Sequence, residues 1–417
     1  MATDPRNDIV SQQYEKWVYP APIADIPAWL TNNWQWFDPS HAWQMFWPNR
    51  ETSTSLDILV AGCGTNQAAV LAYTNPHSRV TAIDVSESSL AHHRFLAEKY
   101  GLTNLSTHLL PIEEVQELGK TFDLIISTGV LHHLADPVVG AQALAECLRA
   151  DGVLALMLYA RYGRLGVGIL QSVLQELGAR QDEESIELVR ELLRHVNESH
   201  PINGYLSIAP DLADNAGIVD TFLHGREMTY SIDECRELAE AAGLVFQDLF
   251  LKAPYYPHNP STSPLLTSIA SQPEQAQWSI MERINTRNGC HFFTACHKDR
   301  PRETYAIDFA SMDAPNFIPS FRHRCWLAGD SLRRYNWQMR LTPSQAQLAA
   351  GIDGRTSIGE IVTRMGTRNS GEERGLASYE AGVVLSEAVE FFRSIWQYDF
   401  VSMRLDNAVG SRYGHVE

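Results

Sequence analysis

Two glycines and an aspartate carry the first chemical signal in this sequence. Gly62 and Gly64 stand in the turn AGCGTNQ, directly after the short apolar run LDILVA (56–61). Glycine lets a backbone bend sharply and approach a ligand closely, because no Cβ intervenes. The segment that follows is helix-compatible, and a helix N-terminus there supplies oriented amide donors. Asp84 closes the next apolar run, RVTAID (79–84), twenty residues after Gly64. A carboxylate at that point can accept both hydroxyl protons of a ribose. The pattern predicts a site for a nucleoside-bearing ligand at the ends of two neighbouring strands.

A second signal is the histidine pair His132 and His133 in VLHHLADP. A histidine near neutrality can act as general base, taking a proton from an amine or a hydroxyl. The other reading is that one of the two caps or packs a strand–helix turn. The six cysteines, Cys63, Cys147, Cys235, Cys290, Cys296 and Cys325, include no CxxC pair. Cys290 and Cys296 lie close to His291 and His297 in CHFFTACHK, but strand alternation sends even-numbered and odd-numbered residues to opposite faces. No metal is expected.

These residues need elements to hold them. Short apolar runs at 56–61, 79–84, 105–110, 122–127 and 152–159 alternate with helix-compatible stretches at 67–72, 88–100, 113–118 and 138–149. Apolar strands buried on both faces and separated by helices predict a doubly wound α/β sheet. GLVFQDLFL and CHFFTACHK add two strands, giving a Rossmann-like, mostly parallel sheet of seven. Residues 160–230 read as a helical lid inserted before that last pair, and such lids commonly decide what a site accepts. In SIDECRELAEAA, Ser231 and Glu234 make a capping box and Gly243 ends the helix. The Pro/Ser/Thr-rich stretch 252–275 reads as a long surface connection.

Composition bounds the rest. At 417 residues, about two or three domains are expected. The expected division is an N-terminal aromatic and helical segment (1–50), a core with its lid (51–300) and a small C-terminal domain (301–417). Fifty acidic against 33 basic residues give a net charge of −17, which argues against nucleic-acid partners, whose binding is led by phosphate neutralisation. The local basic group Arg322, His323 and Arg324 reads as a solvated turn. No run reaches bilayer-spanning length, and MATDPRNDIV lacks the basic and apolar regions of a secretory signal, so a cytoplasmic location is expected and no membrane partner.

A glycine turn and a following strand-end acid are common to dinucleotide dehydrogenases and S-adenosylmethionine enzymes. Here the turn is GCGTNQ rather than GxGxxG, so close approach to a pyrophosphate is not provided. Through VAGCGTNQ (60–67), AIDVS (82–86) and STGVLHHLADP (127–137), the sequence resembles the class I S-adenosylmethionine-dependent methyltransferases. The resemblance implies S-adenosylmethionine as cofactor. Gly62, Cys63, Gly64 and Gln67 would lie along its methionine part, Asp84 would bind the ribose and Val85 would flank the adenine. Pro111 and Ile112 would close over the base, and Gly129 would open the backbone near the transferable methyl. Many relatives place an acidic residue beside the base; here Pro111 or Ile112 stands near that point, and Glu113 or a backbone group would have to substitute. QYEKWVYPAP (13–22) and DTFLHGREMTYSIDE (220–234) are similar to segments of a bacterial subset, which implies that Tyr14, Tyr19, His224 and Tyr230 line the acceptor cavity; ordinary aromatic packing is the alternative.

LAAGIDGRTSIGEIV (348–362) is similar to the helix-turn-helix of small winged-helix modules, including the PqqD type. That resemblance implies a mainly helical C-terminal domain that packs, dimerises or docks a peptide. As a DNA reader it is poorly equipped, with Glu360 and only Arg364 as cation on its second helix. The expected function is methyl transfer to nitrogen or oxygen of a small metabolite or amino-acid-like acceptor. Alternatives are a peptide side-chain methyltransferase and a regulator that binds S-adenosylmethionine without turnover. Orientation of the nucleophile can supply much of the acceleration, so a strong base is not required. The apolar C-terminal helix pair suits a homodimer.

Overall fold

The structure is a computed structural model describing residues 4–53, 55–369 and 378–405. The chain divides into two compact units. One comprises residues 1–38, 53–250 and 257–300; the other comprises 39–52, 251–256 and 301–417.

The first unit is built on a seven-stranded sheet of β1 (Asp57–Ala61), β2 (Arg79–Asp84), β3 (Leu105–Leu109), β4 (Phe122–Thr128), β5 (Leu148–Tyr159), β6 (Leu244–Leu249) and β7 (Cys290–His297). Their order is β3-β2-β1-β4-β5-β7-β6, and only β7 runs antiparallel to its neighbours. This is the Rossmann-like architecture that the alternating pattern predicts. In β1, Ile58, Leu59, Val60 and Ala61 are all fully buried, as a strand covered on both faces requires. The chain leaves β1 in one direction towards β2 and β3, and returns on its other side through β4 and β5. The crevice where the order reverses, at the strands' carboxyl ends, is where ligands of such sheets bind.

Local chemistry sets the helix boundaries. Ser86 caps Glu87–Tyr100, whose end is marked by Gly101 at φ 64°. Asp136 accepts from Val138 N and Val139 N to cap Pro137–Glu146. The expected capping box of Ser231 and Glu234 is present. The helix expected over 138–149 stops at Glu146, because Leu148 pairs with Phe122 and opens β5 early. Helical propensity there yields to a tertiary pairing.

Between β5 and the helix Ile232–Ala241, the excursion holds Leu165–Glu176, Glu183–His195, Ile202–Leu206 and Asn215–Phe222. They share their own core of Val167, Leu170, Ile186, Val189, Val219 and Phe222. Gly166 packs so tightly that a Cβ would meet Ile202 N at 2.2 Å, which excludes any larger residue.

The second unit carries β8 (Ile318–Phe321), β9 (Cys325–Ala328), β10 (Ser331–Arg334), β11 (Trp337–Arg340) and β12 (Val401–Arg404). β9, β10 and β11 form an antiparallel meander, and β12 pairs with β8. The helices Pro343–Ala350, Ile358–Asn369 and Ser378–Gln397 are those read from the sequence, and Ser357 makes a capping box with Glu360. The meander was not expected: its strands are four residues long, and their inward apolar positions, such as Trp337 and Met339, are too few to set a period. Leu332, Leu348, Ile361, Phe392, Ile395 and Phe400 form the core. Arg322, expected in a solvated turn, is mostly buried and pairs with Asp399 at 2.5 Å. The stretch 252–275 is likewise no simple surface connection: Tyr255 and Tyr256 are buried, and Pro264–Ala270 is helical. No described helix is long and apolar enough to cross a membrane.

Candidate functional site

The crevice beside β1 and β4 opens into a cavity of about 850 Å³, within the range of small-molecule sites. Gly62 and Gly64 line it with φ of 71° and 52°, the left-handed region that side chains resist. The space beside them is filled by protein. A Cβ on Gly62 would lie 2.5 Å from Val130, and one on Gly64 would lie 3.0 Å from Pro20. The aromatic-proline leader is therefore stitched to the glycine turn: Thr65 donates to Pro20 O at 2.8 Å, and Asn66 bonds both Ala21 O and Ile23 N.

Asp84 is held by the same turn. Its Oδ2 accepts from Gly64 N and its Oδ1 from Ser86 N, both at 2.9 Å. Burial raises its carboxyl to about 6, partly offset by these backbone donors. Each oxygen keeps a lone pair for a ribose hydroxyl. Cys63, Gln67, Val85, Ile112 and Gly129 also line the cavity, with Gly129 at φ 76°. Gln67 Nε2 donates to Thr128 Oγ1 at 3.1 Å, tying the glycine turn to the end of β4.

Pro111 starts the 3-10 turn Ile112–Leu118 and does not line the cavity. Glu113 does line it, and its Oε2 is buried without a hydrogen-bond partner. Burial raises this carboxyl too. An orphaned acceptor beside Leu110 and Ile112 fits the exocyclic amine of an adenine. With the ribose acceptor at Asp84 and the size of the cavity, the residues present fit S-adenosylmethionine.

At the other end of the cavity, distant parts of the chain meet on Asp220. Tyr14 Oη donates to Asp220 Oδ1 at 2.8 Å, and Tyr159 Oη donates to Oδ2 at 3.1 Å. Burial, reinforced by Asp220, holds both phenols well above their ordinary values, so they stay protonated. Tyr14 comes from the helix Ile9–Lys16, capped by Asp8, and Tyr159 ends β5. Beneath Tyr159 the Arg164 guanidinium lies 3.7 Å from the ring centroid and pairs with buried Glu227 at 2.9 Å.

His133 lines the cavity and stacks on His224 with centroids 3.8 Å apart. The backbone of Arg226 sets both tautomers. Its carbonyl can only accept, so His133 Nδ1 donates to it at 2.9 Å and Nε2 is left as a bare lone pair. The Arg226 N–H donates to His224 Nδ1 at 3.0 Å, so neutral His224 carries its proton on Nε2, facing Tyr14 Oη at 3.3 Å. Burial lowers His133 to about 3 and His224 well below its ordinary value, which keeps both rings neutral. His133, Asp220 and His224 have potential ligand atoms within 4.8 Å of one another. A neutral His224 with its proton on Nε2 has no lone pair there for a metal, so this trio suits hydrogen bonding rather than ligation.

The remaining site expectations fall elsewhere. His132 is fully buried, lies with its ring centroid 4.0 Å from that of Tyr159 at a 35° tilt and does not line the cavity, so it packs the turn. His224 reaches the cavity only through Tyr14 and His133. Tyr230 contributes main chain: its N–H donates to Tyr159 O, and its carbonyl accepts from Arg161 N and faces His291 Nε2. Asp220 and Tyr159 were not singled out from the sequence; an acid at a helical lid position and a tyrosine at a strand end are the signals available.

Residues 59–154 match the family model described as a methyltransferase domain. The chain is similar to the uncharacterized protein syc1184_c of Synechococcus sp., 31% identical over 250 residues, covering 57% of this chain and 58% of that one. A tRNA U34 carboxymethyltransferase of Alteromonas mediterranea is 31% identical over 120 residues, covering 27% of this chain and 36% of that protein. The chain thus spans less than two thirds of these relatives' lengths. Among solved structures, PKMT2 from Rickettsia typhi shares the fold, with a TM-score of 0.65 at 14% identity, covering 93% of this chain and 77% of that one. Residues 59–154 therefore form a methyltransferase domain, and S-adenosylmethionine is the cofactor that this domain and its cavity support.

Proposed function

We propose that this protein is an S-adenosylmethionine-dependent methyltransferase acting on nitrogen or oxygen of a small metabolite or amino-acid-like acceptor. The observation that carries the reading is one continuous cavity. It joins the Asp84 and glycine-turn end to a polar end built on Asp220, Tyr14 and His133. S-adenosylmethionine bound in it supplies an electrophilic methyl on a sulfonium centre.

The chain's own residues do the rest. Asp84 and Glu113 hold the nucleoside end. Tyr14, Tyr159 and Asp220 fix the acceptor's polar group, and holding two reactants in line is by itself a large source of acceleration. The aromatic leader and the helix Asn215–Phe222 wall the cavity and limit water. The net charge of −17 supports a compact acceptor over a polynucleotide. Incubation with methyl-labelled S-adenosylmethionine and a cell's small-molecule fraction tests the reading. Label in a new small product supports it; protein that binds the cofactor and never transfers label supports the non-catalytic alternative instead.

A further inference from the structure

The acceptor end of the cavity has a hydrogen-bond polarity that narrows the acceptor class. Tyr14 and Tyr159 would ordinarily offer a hydroxyl proton to a ligand, but both protons are committed to Asp220, at 2.8 and 3.1 Å. What both phenols present to the cavity is oxygen lone pairs. His224 Nε2–H is directed at Tyr14 Oη. The Arg226 carbonyl fixes His133 in the tautomer whose Nε2 is a buried lone pair without a partner. Three acceptors therefore converge where donors would be expected from the residue types alone.

Charge points the same way. With Asp84 and Glu113 at the nucleoside end and Asp8 paired with Arg226, the lining keeps the carboxyl groups of Asp214 and Asp220, and Arg226 supplies its single guanidinium. Arg226 pairs with Asp8 at 2.5 Å and donates through Nε to His133 O at 2.7 Å. A carboxylate or phenolate acceptor would meet lone pairs and negative charge. A neutral amine brings N–H donors to those lone pairs. Its nitrogen lone pair would form the N–CH3 bond as the S–CH3 bond breaks and S-adenosylhomocysteine leaves, and the positive charge so moved from sulfur to nitrogen faces Asp220.

We infer that the acceptor is a nitrogen nucleophile bearing at least one N–H, an amine, held by its N–H groups against Tyr14 Oη and His133 Nε2. The inference rests on the methyltransferase reading and narrows it. The Arg226 backbone is the positioning element, since it sets opposite tautomers in the two stacked histidines.

Two measurements test it. Nitrogen NMR of the whole protein with labelled histidine, assigned with His133→Gln and His224→Gln, reports the tautomers without turnover. The expected result at pH 7.5 is His133 protonated on Nδ1 only and His224 on Nε2 only. His133 protonated on Nε2, or doubly, overturns the inference. The second is the chemistry of the product labelled from methyl-tritiated S-adenosylmethionine and a small-molecule cell filtrate. A product that is cationic at pH 7 and keeps its methyl label in base is expected. A base-labile methyl ester, or a neutral methyl ether, overturns the amine assignment while leaving methyl transfer standing. No label from protein that still binds S-adenosylhomocysteine contradicts the transferase reading itself. On the product so identified, His133→Phe should lose about 10- to 100-fold in kcat/KM, the cost of one hydrogen bond to a group that gains charge, and His133→Gln, which keeps an acceptor oxygen at that reach, should recover most of it. Equal losses in both variants, with unchanged S-adenosylhomocysteine affinity, also overturn it.

Discussion

Tyr14 reaches Asp220 across 206 residues of sequence, and its 2.8 Å hydrogen bond ties the aromatic leader to the helical excursion. Neither residue shapes the acceptor end alone. Asp220 without the tyrosines is a buried charge short of two donors, and the tyrosines without Asp220 become donors themselves.

Asp220→Asn reverses part of that polarity. An amide offers one acceptor oxygen and two donors, so one phenol loses its proton acceptor. The expected outcome is a fall in kcat/KM of about 10²–10³ with S-adenosylhomocysteine affinity unchanged, since Asp220 lies at the other end of the cavity. Steady-state kinetics together with calorimetry check it.

Cofactor binding should follow the ionisation of Asp84, whose carboxyl is raised to about 6. A ribose needs the carboxylate as acceptor, so lowering the pH through 6 protonates the group and weakens binding. Below that point the affinity should fall about tenfold per pH unit, with protons released on binding; above pH 7 it should be flat. Isotherms in two buffers of different ionisation enthalpy read both effects. His133, lowered to about 3, should add no titration near 6.5 to the rate profile.

The pair under Tyr159 is a stability element. Arg164 and Glu227 side chains are 1% and 6% exposed, and Glu227→Gln would leave the guanidinium without its counter-charge. Breaking a buried pair on one side costs about 3–5 kcal/mol, whereas replacing both partners by apolar residues costs much less. Denaturant unfolding of Glu227→Gln and of the double variant Glu227→Leu with Arg164→Met should show that order.

Gly62→Ala meets two obstacles, a φ of 71° and Val130 at 2.5 Å. Left-handed strain and overpacking together cost about 2–4 kcal/mol. Adding Val130→Ala should recover only the packing part, which thermal unfolding of the single and double variants measures.

Much of the fold was legible because the central strands are continuous apolar runs that stop at glycine or aspartate. β2 begins and ends where the sequence pattern places it, and β1 differs by one residue at its start. The meander of β9, β10 and β11 was not legible, since strands of four residues turn at most two apolar side chains inward each, Cys325 and Leu327, Leu332, or Trp337 and Met339, too few for a period to stand out. At the site, Gly62, Gly64 and Asp84 could be read because they are near in sequence and constrained by one turn. Asp220 could not, because its meaning depends on hydroxyls brought from residues 14 and 159. Tyr230 shows the converse: its main chain supports Tyr159, which no reading of its side chain could have indicated. The glycines let the backbone bend and line the cavity, and the structure adds a second reason for them: Val130 and Pro20 fill the space a Cβ would take at Gly62 and Gly64.

The most direct test of the central claim is calorimetric titration of the whole protein with S-adenosylmethionine and S-adenosylhomocysteine, beside Asp84→Ala. The account predicts micromolar binding of both by the wild type and a loss of at least about 100-fold in the variant, as removal of a charged hydrogen-bond partner implies. Folded wild-type protein that binds neither, or an Asp84→Ala variant that binds equally well, would contradict it.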